Sequence, residues 1–217
     1  PVAIKVLFPE FAVDPNFVER FRREAQSAAN LNHPNIVGVY DWGQYANTYF
    51  MAMEYVQGRT LADILRANGH VNSHQAAEIA SEIAAALGFA HRNGVVHRDI
   101  KPANVMVDLE SGLVKVTDFG VARLDDSSRT RTGLVLGTPS FMSPEQMAGR
   151  RTDGRSDLYS LGVMLFQLLT ASLPHQGETM AKLMNQIANE PAPDIRSLRP
   201  ELPQELAAVV SLALEKR

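Results

Sequence analysis

Two short polar segments separated by a β-prone stretch constrain this chain more than anything else in it. His97-Arg98-Asp99-Ile100-Lys101-Pro102-Ala103-Asn104 brings together a carboxylate, an ammonium and an amide, and Val116-Thr117-Asp118-Phe119-Gly120 adds a second carboxylate. Between them, Val105-Met106-Val107 and Leu113-Val114-Lys115-Val116 are β-prone runs flanking the turn formers Asp108-Leu109-Glu110-Ser111-Gly112, a pattern that predicts a hairpin. A hairpin centred near Glu110 and Ser111 makes Asn104 and Asp118 cross-strand neighbours at its open end. Two hard oxygen ligands then converge, which suits a magnesium ion whose remaining coordination comes from water and substrate phosphates. Asp99, in the loop before the first strand, is placed to accept or orient a hydroxyl proton. Lys101 reaches the same cleft and can stabilise charge on a transferring phosphoryl group.

Composition narrows the alternatives. A chain of 217 residues that is 45% hydrophobic can bury a substantial core. A net charge of −3 gives no reason to expect nucleic acid or an anionic membrane as partner. Cysteine is absent, so neither a disulfide nor a thiolate metal site can form, and a reducing compartment suits the chain. No apolar run has the length of a membrane span, no secretory leader opens the chain, and there is no internal repeat or low-complexity segment.

Periodicity divides the chain into two unequal parts. Residues 2–7, 36–41 and 48–54 read as strands, while residues 15–31 carry an apolar stripe of Phe17, Val18, Phe21, Ala25, Ala28 and Ala29 that predicts a helix. Beyond Gly58 helices dominate, over residues 60–67, 73–91, 156–170, 179–189 and 203–215. Strands first and helices after predict a small β-rich lobe hinged to a larger helical one, with the ligand between them.

In their order along the chain, these motifs resemble a serine/threonine protein kinase catalytic domain, specifically of the bacterial, Hanks-type class. Val2-Ala3-Ile4-Lys5 is similar to the lysine-bearing strand of the family's small lobe, which implies that Lys5 contacts the α- and β-phosphates of ATP. Phe21-Arg22-Arg23-Glu24-Ala25 then supplies Glu24 as its ion-pair partner. Met53-Glu54-Tyr55-Val56 resembles gatekeeper and hinge, with the backbone of Glu54 and Val56 bonding adenine, and Ala3 and Met106 complete the implied nucleotide site. By the same resemblance Asp99 is the catalytic base, Lys101 the phosphate-contacting lysine, and Asn104 and Asp118 the metal ligands. His97, Phe119, Glu145 and Asp157 become structural supports, Asp157 as the aspartate that holds the catalytic loop from below. Ser143-Pro144-Glu145 stands where the family has Ala-Pro-Glu, a change expected to matter little. Lys101 after Asp99, together with Gly137-Thr138-Pro139-Ser140-Phe141-Met142, resembles the serine/threonine class, so the implied reaction moves the γ-phosphoryl group of ATP to protein serine or threonine.

The implied fold is α+β and two-lobed. Residues 1–217 form a kinase domain fragment, 1–56 a partial small lobe with the hinge, and 57–217 a large lobe lacking its last helical segment. The implied cofactors are ATP and Mg2+, with Mn2+ able to substitute. A polar run containing Asp125, Asp126, Ser127, Ser128, Arg129, Thr130, Arg131 and Thr132 reads as a switch, with autophosphorylation at Thr130 and Thr132 and capture of the phosphate by Arg98. A second copy of the chain is then the partner for autophosphorylation. A cytoplasmic location follows, as the cytoplasmic part of a membrane-anchored receptor kinase, with no membrane contact from this segment.

Several competing readings stay open at this level. Lys5 also reads as a solvated edge-strand lysine, Glu24 as a surface carboxylate paired with Arg20, and Asn104 and Asp118 as turn caps. The remaining histidines, His33, His70, His74, His91 and His175, have no metal-like spacing, and core or surface positions suffice for them. A pseudokinase or an inactive truncated kinase would keep the fold as a binding module, although its usual mark, loss of Lys5, Asp99 or Asp118, is missing. A metal-dependent phosphohydrolase built on His97 and Asp99 finds no second histidine pair. No G-x-G-x-x-G loop occurs, and the arginine that would pair with Glu145 would lie just beyond Arg217, so both ends read as cut from a longer protein.

Overall fold

The computed structural model describes residues 1–7, 12, 14–108, 111–119 and 139–216. Three antiparallel strands, β1 (Val2–Leu7), β2 (Val39–Tyr45) and β3 (Thr48–Glu54), form a small sheet in the order β1-β3-β2. The register runs from Val2 opposite Glu54 to Leu7 opposite Tyr49 on one side of β3, and ends at Tyr45 opposite Thr48 on the other. Helix α1 (Pro15–Ala29) starts where Asp14 accepts from the Asn16 N–H and Pro15 supplies a preset φ at the first helical position. Its apolar face buries Phe21 and Ala25 against Met51 of β3.

Strand β2 begins and ends later than residues 36–41 suggest. Ile36 leaves the small sheet and makes a parallel bridge to Val116, with Val37 N–H donating to Val116 O at 2.9 Å and Val116 N–H to Asn35 O at 2.9 Å. The strand resumes at Val39, passes a register shift between Val39 and Asp41, and continues to a tight turn in which Ala46 takes a left-handed conformation. Its polar Asp41 and Gln44 hide this length from a hydrophobic pattern. The 35–37 segment thereby stitches the small sheet to the large lobe. Asn35 Nδ2 adds donations to Val114 O at 2.9 Å and to Glu82, which also accepts from the Val114 N–H.

The large lobe contains β4 (Arg59–Thr60), α2 (Leu61–Asn68), α3 (Ser73–Arg92), β5 (Val105–Asp108), β6 (Leu113–Val116), α4 (Pro144–Met147), α5 (Gly154–Thr170), α6 (Met180–Asn189), α7 (Ile195–Leu198) and α8 (Gln204–Ala213). Strands β4, β5 and β6 form a second antiparallel sheet in that order. Helix α5 is buried nearly all round through Val163, Met164, Phe166, Leu168 and Leu169, which marks it as the central core element. It packs on α3, whose Ile83, Ala86, Leu87 and Ala90 have no exposed surface, and on α8. Gly162 allows the second contact, because a Cβ there would lie 2.8 Å from the Ala213 Cβ. Short β4, α4 and α7 are too brief to show a period in the sequence. No helix among the described residues is long and apolar enough to cross a membrane. The outcome is a small sheet-rich lobe joined to a larger helical one, as the periodicities predict.

His175, just past α5, is buried with no hydrogen-bond partner for its Nε2 atom, and burial holds its pKa below the ordinary value, helped by the nearby Lys216 charge. The fold thus favours neutral imidazole. This contribution is full above the unfolded-state pKa of about 6.5 and is lost as pH falls through the lower folded-state pKa. Urea unfolding midpoints should therefore drop less between pH 7.5 and 5.5 for His175→Phe than for the parent chain; equal drops would contradict this burial argument.

Candidate active site

The 97–104 loop is held from below by one carboxylate. Asp157, in the first turn of α5, has no exposed surface. Its Oδ1 accepts the Arg98 N–H at 2.7 Å, and its Oδ2 accepts the His97 N–H at 2.8 Å and a bond from His91 Nε2 at 2.7 Å. Charge-assisted bonds of this kind offset the desolvation of a buried anion. They also hold Arg98 at φ 67°, a left-handed conformation that costs a residue with a Cβ about 1–2 kcal/mol. His97 is fully buried, with Nδ1 accepting the Asp99 N–H at 3.2 Å and Nε2 at 2.9 Å from Thr117 O. Accepting at Nδ1 puts the proton on Nε2, so both nitrogens hold backbone. The ring stands edge-on to Phe119 with centroids 4.7 Å apart.

Two lysine–carboxylate pairs lie above this support. Lys101 Nζ donates to Asp99 Oδ2 at 2.6 Å, and Lys5 Nζ to Asp118 Oδ1 at 2.8 Å, so β1 of the small lobe reaches the end of β6. Asn104 braces the first of them: its Nδ2 donates to Asp99 O at 2.8 Å and Asp99 Oδ2 at 3.1 Å, and its backbone carbonyl accepts the Thr117 N–H at 3.0 Å. The hairpin is centred where its turn residues predict, with Val105 opposite Val116 and Asp108 opposite Leu113. That register sets Asn104 opposite Thr117 rather than Asp118. Asp118 is one residue past the pair, in a left-handed conformation (φ 61°), and its carboxylate meets Lys5.

With its amide nitrogen engaged by Asp99, Asn104 has its oxygen as the end a cation would take. Asn104 and Asp118 fit magnesium chemically as hard oxygen donors. Among the described residues no group of three or more histidine or carboxylate side chains forms a self-sufficient metal cage, so an ion here needs phosphate oxygens to complete its shell.

At the junction of the lobes, Glu54 ends β3. Its N–H donates to Gly38 O at 2.8 Å, and its carboxylate accepts from Gly38 N–H at 3.2 Å and from Lys115 Nζ at 2.9 Å. Met53 lies opposite Ala3 on β1, Met106 opposite Lys115 in the lower sheet, and the half-buried Val56 follows in the linker. The side chain of Glu24, on α1, is outside the described residues, as are Thr130 and Thr132.

A protein kinase domain model matches residues 1–215. The chain belongs to the protein kinase family. It is 42% identical over 216 residues to the serine/threonine-protein kinase PrkC of Bacillus subtilis, covering 99% of this chain and 33% of that protein. It is 46% identical over 223 residues to serine/threonine-protein kinase PknB of Mycobacterium leprae, covering 99% of this chain and 35% of that protein. The kinase domain thus spans about a third of the length of these curated relatives. Among solved structures it is similar to the Mycobacterium tuberculosis PknI kinase domain, with a TM-score of 0.75 and 31% identity over all of this chain and 78% of that one.

Three residues of this kinase domain carry more than their sequence context suggests. His91 is a partner of Asp157, placed by the end of α3 six positions before His97. Lys115 is 9% exposed on β6, and its alternation between Val114 and Val116 was the only available signal. Ser143 shows that Ser in place of Ala before Pro144-Glu145 does matter locally. Its hydroxyl accepts the Gln146 N–H at 3.4 Å as the N-cap of α4, while Gln146 Oε1 accepts the Ser143 N–H at 3.0 Å, a reciprocal capping box. Glu145 accepts a hydrogen bond from Ser156 Oγ at 2.5 Å, and the buried Tyr159 phenol, desolvated and close to Glu145, is pushed up to about 12.

Lys115→Met leaves the Glu54 carboxylate partly buried with a backbone donor in place of a cation. A double-mutant cycle of Lys115→Met with Glu54→Gln, read by urea unfolding, should give a coupling energy of about 1–3 kcal/mol. Additive effects would show that this ion pair does not brace the junction.

Proposed function

We propose that this chain is the catalytic segment of a serine/threonine protein kinase that moves the γ-phosphoryl group of ATP to protein hydroxyls. The observation that supports it best is the pairing of Lys5 with Asp118 and of Lys101 with Asp99, with Asn104 bonded to the Asp99 carboxylate. In this reading Asp99 orients the acceptor hydroxyl and takes its proton as the new O–P bond forms. The bond from the γ-phosphorus to the β,γ-bridging oxygen breaks, and ADP leaves. Lys101 turns from Asp99 to the transferring phosphoryl group, and Lys5 from Asp118 to the α- and β-phosphates. Magnesium held by Asn104 and Asp118 would neutralise phosphate charge there. Adenine meets the backbone of Glu54 and Val56 near Ala3, Met53 and Met106, and Glu24 is the partner that orients Lys5.

In this reading the acceptor segment lies over Lys101, the partner of Asp99. A cavity of about 380 Å³ is bounded by Ala62, Leu65, Lys101, Ala103, Phe141 and Gln167. Activation by phosphorylation of Thr130 and Thr132, with Arg98 receiving the phosphate and a second copy supplying it, belongs to the same reading. So does a cytoplasmic location, which a chain without cysteine suits.

Transfer of labelled γ-phosphate to a generic serine/threonine protein substrate by the intact gene product tests this. Asp99→Asn and Asp118→Asn should each lower kcat by roughly 10²–10⁴-fold. Equal transfer by the parent and both variants would overturn the reading.

A further inference from the structure

Gln146 does two things with one amide. Its Oε1 accepts from the Ser143 N–H at 3.0 Å and the Ser143 hydroxyl at 3.2 Å, within the capping box of α4. Its Nε2 donates to Arg98 O at 2.7 Å, far away in sequence. The orientation is forced, because the Ser143 N–H can only donate and the Arg98 carbonyl can only accept. That carbonyl belongs to the peptide unit joining Arg98 to Asp99. The N–H of the same unit donates to His97 Nδ1 at 3.2 Å. The peptide leading into Asp99 is therefore pinned at both ends, and the Arg98 conformation at φ 67° makes it one that needs holding.

We propose that Gln146 is a positioning residue for Asp99, coupling the docking of the 143–146 turn to the geometry of the base. The inference rests on the phosphoryl-transfer reading only for its kinetic consequence; the structural consequence stands by itself. When the turn seats, Gln146 caps it and fixes the Arg98 carbonyl in one movement. When the turn lifts, the carbonyl loses that donor, and the peptide keeps the Asp157 bond to the Arg98 N–H and the His97 bond to the Asp99 N–H but not its clamp at the carbonyl.

Gln146→Glu separates the two roles. A carboxylate is nearly isosteric with the amide and still accepts from Ser143, so the cap survives. It has no proton for Arg98 O. Protonation restores an O–H donor at that position, and burial against a carbonyl raises the pKa at which this happens. In the intact gene product the variant should lower kcat about tenfold while the KM for ATP stays within about twofold. Its kcat relative to the parent should climb as pH falls from about 8 to 6. Gln146→Ala, which has neither role, should be slow at every pH. A flat ratio for Gln146→Glu, or kcat equal to the parent, would overturn the proposal. A second measurement does not depend on turnover: the Asp99 backbone amide resonance should move in Gln146→Glu and return towards the parent position on acidification. An unmoved resonance would sink the proposal even in an active enzyme. Absence of transfer by the parent, with the resonance behaving as described, would count against the phosphotransfer reading and leave the coupling intact.

Discussion

Asp157 lies wholly buried in the first turn of α5, and its two oxygens take N–H donors from His97, Arg98 and the His91 ring. Because most of α5 is buried, that charge is anchored to a core element. Position therefore passes from the core to the loop through backbone bonds rather than through mobile side chains. Removing the carboxylate would strand two backbone donors and release a conformation that Arg98 would not choose alone. His97 extends the same support upwards, touching Asp99, Thr117 and Phe119 at once.

The polar groups above this support are paired with one another. Lys5 with Asp118 and Lys101 with Asp99 each keep roughly a quarter to a third of their side-chain surface exposed. Pairs that keep this much contact with water are only partly desolvated, so they hold their partners less firmly than a buried ion pair does. In the proposed reaction, nucleotide phosphates and a divalent ion would exchange with them, the lysines turning to phosphate and the Asp118 carboxylate to the metal. The arrangement resembles a set of switches resting against one another more than a rigid cage. Rigidity is supplied beneath it by Asp157 and at the lobe junction by the Glu54–Lys115 pair and the 35–37 stitch to β6.

Much of this was legible in the chain itself. The hairpin could be centred from turn formers and β-prone runs, and the contrast between the lobes followed from where strands gave way to helices. The register could not be read to the residue. Asn104 faces Thr117, and only a left-handed step at Asp118 brings that carboxylate to Lys5. Backbone conformations of that kind leave no mark in a pattern of apolar and polar residues. The late start of β2 was hidden for a related reason: Ile36, apolar and strand-like, pairs with the other sheet. Contacts between distant segments were the least visible. His91, Lys115 and Gln146 look ordinary in their local context, and each acquires its role from a partner at least 48 positions away.

The dependence of the loop on one buried carboxylate can be tested most directly by a crystal structure of the Asp157→Ala variant. The account predicts that α5 and the β5–β6 hairpin stay in place while Arg98 leaves its left-handed conformation and the Asp99 side chain moves away from Asn104. An unchanged loop, with Arg98 still at positive φ and Asp99 still bonded to Lys101 and Asn104, would contradict it.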